Sequence, residues 1–247
     1  RGNWLEAAGA LQVPRNLGTP GLPNSRWAPN AGPAIAEVTH DPALPAAGQA
    51  VTVRARVDDP DGLASLVLFY RLDPATNYTA VGMTYRGGGY YAASLPGHAS
   101  QSRIAFYLQA TDLHASPATT RFPDNAPNRE CAIQFGEEKF KGNFGVYRLW
   151  LTDRTVKTWS ARDKLDNTPL DGTFVYGDSR VIYNMGALYG GSPFISPGYN
   201  SPIGSLCGYV FIFPEDDRCL NTTDFTMDYP IRDGSAQLEH VALWMLD

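Results

Sequence analysis

Gly190, Gly191 and Ser192 sit in the stretch NMGALYGGSPF (Asn184 to Phe194), directly after a run that reads as a β-strand. Main-chain N–H groups without side chains over them can turn toward phosphate oxygens, and the Ser192 hydroxyl would add a donor. From Val181 to Pro214 there is no Asp, Glu, Lys or Arg, so the loop lies within an uncharged strand–loop–strand. Such a stretch suits the roof of a ligand pocket. Pro193, Pro197 and Pro202 interrupt it too often for a membrane span. The same residues also make an ordinary tight turn ended by Pro193, and the residues alone leave both readings open.

Other chemistry-bearing residues point to blander roles. His40, His98, His114 and His240 are scattered without ligand spacing, and no G-x-S-x-G elbow accompanies them. DDPDG (Asp58 to Gly62) offers carboxylates, but one turn supplies too few oxygens for Ca²⁺ and reads as a turn. PEDDR (Pro214 to Arg218) follows a strand and reads as a solvated turn. YRGGGYY (Tyr85 to Tyr91) has aromatics that would stack on sugar or, in the plainer reading, pack in a hairpin. Cys131, Cys207 and Cys219 lack zinc spacing; Cys207 and Cys219 could pair in an oxidising compartment, or all three be buried thiols. Asn77-Tyr-Thr and Asn221-Thr-Thr match the glycosylation pattern.

The elements that must position these residues fall into two patterns. Residues 1–32 are Pro/Gly/Asn-rich, reading as a linker and the tail of a preceding domain. From 33 to 136 the chain alternates. AVTVRARV (50–57) puts Val51, Val53, Ala55 and Val57 on one face, and LASLVLFYRL (63–72) does the same with Leu66, Leu68, Tyr70 and Leu72. Residues 78–97 read as a hairpin closing on Gly87-Gly88-Gly89. RIAFYLQATD (103–112) turns Ile104, Phe106, Leu108 and Ala110 inward, and ECAIQFG (130–136) closes the sheet. Short strands at this spacing predict a β-sandwich of immunoglobulin or fibronectin type III style. The second half, 137–247, reads as α+β. It has a strand at 146–152, a helix over 154–165 capped by Thr152 or Asp153, a strand pair turning at Gly177-Asp178, a strand at 206–214, and a helix over 235–247.

A net charge of −5 and a pI near 5.4 leave no basic footprint for nucleic acid, and no Lys/Arg-rich amphipathic segment suits an anionic membrane. The chain starts at Arg1 and stops within a helical pattern, which reads as a segment of a longer polypeptide.

VTVRARVDDPDGLASLVLFYRLD followed by YLQATD resembles the Ig-like modules common in large secreted bacterial proteins. VYRLWLT, FVYGDSRVIYNMGALYGGSPF, CGYVFIFP and QLEHVALWML, in that order, resemble the CotH family of atypical protein kinases over roughly 145–247. The resemblance implies a mainly β chain in which an Ig-like sandwich leads into a kinase-like N-terminal lobe. It implies ATP with Mg²⁺ in the full-length parent, with Gly190, Gly191 and Ser192 over the nucleotide and Glu239 as the helix glutamate. Gly190 stands where members often have Arg. The family's basic strand residue has no counterpart near Cys207, and Arg180 is the substitute. A missing cation would remove a charge-assisted contact of about 1.5–3 kcal/mol. The catalytic base and the metal-binding acid of the family lie beyond residue 247, so this chain by itself is expected to be inactive and to hold no cofactor of its own. The parent would be extracellular or at the cell surface, phosphorylating a secreted or surface protein. The rival expectation is a non-catalytic adhesive or glycan-binding module on a degenerate kinase-like scaffold; a third is an accessory module of a polysaccharide-degrading enzyme.

Overall fold

A computed structural model describes residues 30–139, 146–163, 166–190 and 208–227. Across these residues the chain is mainly β, with antiparallel sheets and one α-helix. The strands of the first half are β1 (Ala34–Asp41), β2 (Val51–Asp58), β3 (Leu63–Asp73), β4 (Thr79–Gly82), β5 (Thr84–Gly87), β6 (Tyr90–Leu95), β7 (Arg103–Asp112), β8 (Thr119–Phe122) and β9 (Cys131–Gln134). They form one sheet of order β1-β2-β6-β5 and another of order β4-β3-β7-β8, with β9 beside the first part of β7. The two sheets share a core. Val51, Val53, Ala55 and Val57 of β2 alternate with exposed neighbours, and Ile104, Phe106, Leu108 and Ala110 of β7 are fully buried. Each large aliphatic or aromatic side chain so buried contributes about 1.5–3 kcal/mol.

Residues 78–97 depart from the expected single hairpin. β4 pairs with β3, the Met83 N–H donates to Leu66 O, and β5 then pairs with β6 in the opposite sheet. The chain thus changes sheets at Gly82-Met83, and only its second part turns at Gly88-Gly89. Alternation specifies which face of a strand is apolar but not which strand lies beside it.

The second half supplies β10 (Tyr147–Trp150), α1 (Asp153–Ala161), β11 (Leu170–Tyr176), β12 (Arg180–Gly190), β13 (Gly208–Ile212) and β14 (Asp224–Met227). Its strands pair in chain order as an antiparallel meander. The sheet curls until its two edges meet: Tyr147 of β10 stands 5.7 Å from Phe225 of β14, and both rings pack on Phe174 of β11. α1 starts at Thr152, whose side chain accepts from the Thr155 N–H, and lays the fully buried Trp159 into this aromatic core.

A bulge in β12 divides its side chains between two cores. Asn184 has φ +56, and the register slips opposite Gly172/Phe174. Asn tolerates this left-handed conformation better than most residues. Ile182 then shares a face with Met185, Ala187 and Tyr189 on the α1 side. Val181 and Tyr183, with Trp150 and Val175, instead join the buried cluster of the first two sheets. That core therefore runs continuously past residue 137. Thr173 Oγ1 accepts from the Ala132 N–H at 2.9 Å, which covers the free edge of β9. The helix expected over 235–247 lies outside the described residues.

Candidate functional site

At one end of β12, Gly190 pairs with Gly208 of β13. A Cβ on Gly190 would stand 3.3 Å from the Tyr209 N and 3.4 Å from Thr226 Cγ2, so the rim is narrow and free of side chains on both strands. One residue back, Tyr189 points into the α1 face. Its ring lies 5.1 Å from that of Trp159, edge to face, and Tyr209 lies 6.2 Å from Trp159 on the other side. Arg162, the C-cap of α1, places its guanidinium 4.9 Å over the Trp159 ring and 5.7 Å from that of Tyr189. One of its N–H donors goes to Thr168 O at 2.6 Å. A cation fixed over aromatic faces in this way gains about 0.5–2 kcal/mol.

Arg180 is at the other end. β12 has 11 residues, so at about 3.3 Å per residue Arg180 and Gly190 stand roughly 30 Å apart. Arg180 instead pairs with Asp217. Burial raises the Asp217 carboxyl pKa, against the pull of Arg180. PEDDR is thus partly tied down, and no single phosphate group spans Arg180 and Gly190. Both residues lie on one strand–turn–strand in the sequence, but an extended strand separates its ends as far as a chain can. Gly191, Ser192, Glu239 and Cys207 lie outside the described residues. Cys131 and Cys219 are buried free thiols, and burial raises the pKa of both, that of Cys131 strongly.

The junction between the halves holds a second concentration of charge. Arg71 on β3 donates to Glu130 through Nε and Nη2, both at 2.7 Å, and to Asp73 through Nη1 at 2.7 Å. Glu130 is 1% exposed and also receives Tyr78 Oη and Arg154 Nη2. Burial works against the Arg71 charge, yet the bonds to Glu130 and Asp73 hold its pKa above the usual value. Burial raises Tyr78 to about 12, aided by Glu130. Asp171 accepts from the Glu130 N–H at 2.8 Å; burial raises it to about 6 despite Arg129 at 3.5 Å. His40 of β1 meets Tyr183 of β12, and burial lowers His40 to about 4. Its Nε2 must donate to Ala43 O, since a carbonyl only accepts, so Nδ1 accepts from the Tyr183 hydroxyl.

Two of these groupings escape a reading of the sequence. Arg71 and Asp73 occupy the outward face of their strand, where charge normally meets water, and the partner of Arg71, Glu130, lies far along the chain. Arg162 follows Trp159 by three positions in TWSAR, a spacing that puts cation and ring side by side on a helix end. That signal was present.

No protein-family model and no curated protein matches this sequence.

Chemically, the Gly190 end combines a backbone pair without side chains and a ring-stacked guanidinium. Among the described residues, no three His, Cys, Asp or Glu side chains converge as a metal cage. A cleft of about 270 Å³ opens on the α1 side of the curled sheet, lined by Tyr147, Leu149, Val156, Phe174, Tyr209 and Phe211 among others.

Proposed function

We propose that residues 137–247 are the nucleotide-binding lobe of a CotH-like kinase, preceded by an Ig-like module, in a secreted or cell-surface protein that phosphorylates another such protein. ATP binds at the Gly190-Gly191-Ser192 end of β12, with Mg²⁺ arriving on the nucleotide phosphates. Arg162 rather than Arg180 is the cation on that side. The observation that carries the proposal is the Arg162 guanidinium held over the ring of Tyr189, the residue before Gly190. A fixed cation beside a glycine backbone that carries no side chain suits an anionic ligand.

The test is isothermal titration of the chain with MgATP, alongside Gly191→Asp and Arg162→Ala. Saturable binding that both substitutions weaken, Arg162→Ala by about 1.5–3 kcal/mol, supports it. No binding, or binding indifferent to both, removes it. A second reading, a non-catalytic adhesive or glycan-binding protein on a degenerate scaffold, is favoured by the retirement of Arg180 into an ion pair with Asp217. Reproducible glycan-array binding by a chain that ignores ATP would select it.

A further inference from the structure

The polar contacts of α1 suggest that the first half of the chain does more than precede the second. At the N-terminus of the helix, the Asp153 N–H donates to Asp73 Oδ2 at 2.8 Å. Asp73 ends β3, a strand of the opposite half, and is itself held by Arg71. One residue further, Arg154 donates to Glu130 Oε2 at 2.7 Å and to Pro127 O. Two carboxylates of the sandwich thus grip the first turn of α1, the end at which the helix dipole favours negative charge. The helix is 9 residues long, about 13 Å. Its far end carries Trp159 and Arg162, which pack on Tyr189 beside Gly190. Among the described residues, the curled sheet gives the helix apolar cover but no comparable anchor at Asp153 and Arg154.

We infer that Asp73 and Glu130 are positioning residues: they fix α1 from the sandwich and, through Trp159 and Arg162, set the Tyr189–Gly190 end of β12 for its ligand. The ligand part of this inference rests on the nucleotide reading above; the mechanical part does not. Neither carboxylate touches the ligand. A change near residue 73 or 130 is felt at Gly190 because α1 is one rigid rod between them.

Hydrogen–deuterium exchange on the full chain separates the two parts. Asp73→Asn and Arg154→Met are the variants; the second removes a partly exposed partner and leaves Glu130 bonded to Arg71 and Tyr78. Expected is exchange at α1 and at residues 186–190 faster by about tenfold or more, with β2 unchanged. MgATP affinity should fall about fivefold or more in the same variants. Unchanged exchange at α1 relative to β2 overturns the inference whatever the ligand result. Faster exchange with full MgATP affinity overturns the positioning of the ligand site. Faster exchange in a protein that binds no nucleotide even as wild type upholds the mechanical coupling and removes the nucleotide reading instead.

Discussion

His40 and Asp171 titrate in opposite senses at one dry junction, and substituting each in turn should expose a slope that the other hides. His40 falls from an ordinary 6.5 to about 4 in the folded chain, burial being the cause. The unfolded chain therefore binds more protons between about 4 and 6.5. The stability His40 leaves intact is full above 6.5 and is lost as pH falls toward 4, about 3 kcal/mol in all at 1.36 kcal/mol per unit. Asp171 rises from 3.8 to about 6, again by burial. Here the folded chain binds more protons, so the contribution is full below 3.8 and is lost as pH rises toward 6, also about 3 kcal/mol. Between pH 4 and 6 the two nearly cancel. His40→Asn keeps an acceptor near Nδ1 for the Tyr183 hydroxyl but cannot titrate. Relative to wild type it should gain about 3 kcal/mol as pH falls from 6.5 to 4. Asp171→Asn keeps an acceptor for the Glu130 N–H, and relative to wild type should gain a similar amount as pH rises from 4 to 6. Urea denaturation followed by circular dichroism at half-unit steps measures both. Taking differences from wild type removes the other titrating groups, Asp217 among them. Differences that stay flat within about 0.5 kcal/mol over pH 4–6.5 would refute the claim that the junction excludes water.

Two further outcomes follow from the packing. Asn184→Val should cost about 1–2 kcal/mol more than Asn184→Gly in thermal or urea unfolding, because a β-branched residue resists the φ of +56 that moves Met185 to the α1 side. Equal losses would mean the bulge does not depend on that conformation. Cys131 and Cys219, buried and with raised pKa values, should resist a thiol reagent at pH 8 in the folded chain and react on unfolding; prompt labelling of either would contradict its burial.

What the sequence discloses here is governed by range. Faces are local, so the inward sets of β2 and β7 and the Thr152 cap of α1 stand in the structure where the residue pattern puts them. Partners are not local. Residues 78–97 show a plausible hairpin pattern, yet the first strand of that segment belongs to the opposite sheet. β1 is obscured by its own bulge, where Glu37 at φ 50 breaks the alternation. β14 is short and mostly exposed, so its pattern carries little signal. The candidate site suffers the same limit. Arg180 and Gly190 look like neighbours on one hairpin, while Arg162, reached through a helix and a turn, is the cation beside Tyr189.

Magnitudes then decide what the two kinds of contact at the junction do. Trp150, Val175, Val181 and Tyr183 are buried against the core of the first two sheets, and at about 1.5–3 kcal/mol each they supply roughly 6–12 kcal/mol of adhesion. The cluster of Arg71, Asp73, Glu130 and Arg154 adds little net, since desolvation consumes most of its Coulombic gain. Removing one partner is a different matter and costs about 3–5 kcal/mol where the remaining charge stays buried. An apolar surface holds two bodies together over a range of small displacements, whereas a bidentate guanidinium–carboxylate pair is satisfied at one. Adhesion therefore falls to the four apolar side chains and register to the ions. On these energies, loss of a single ionic partner frees the first turn of α1 well before the two halves can separate. The Tyr189–Gly190 end of β12 is then the first place to feel it.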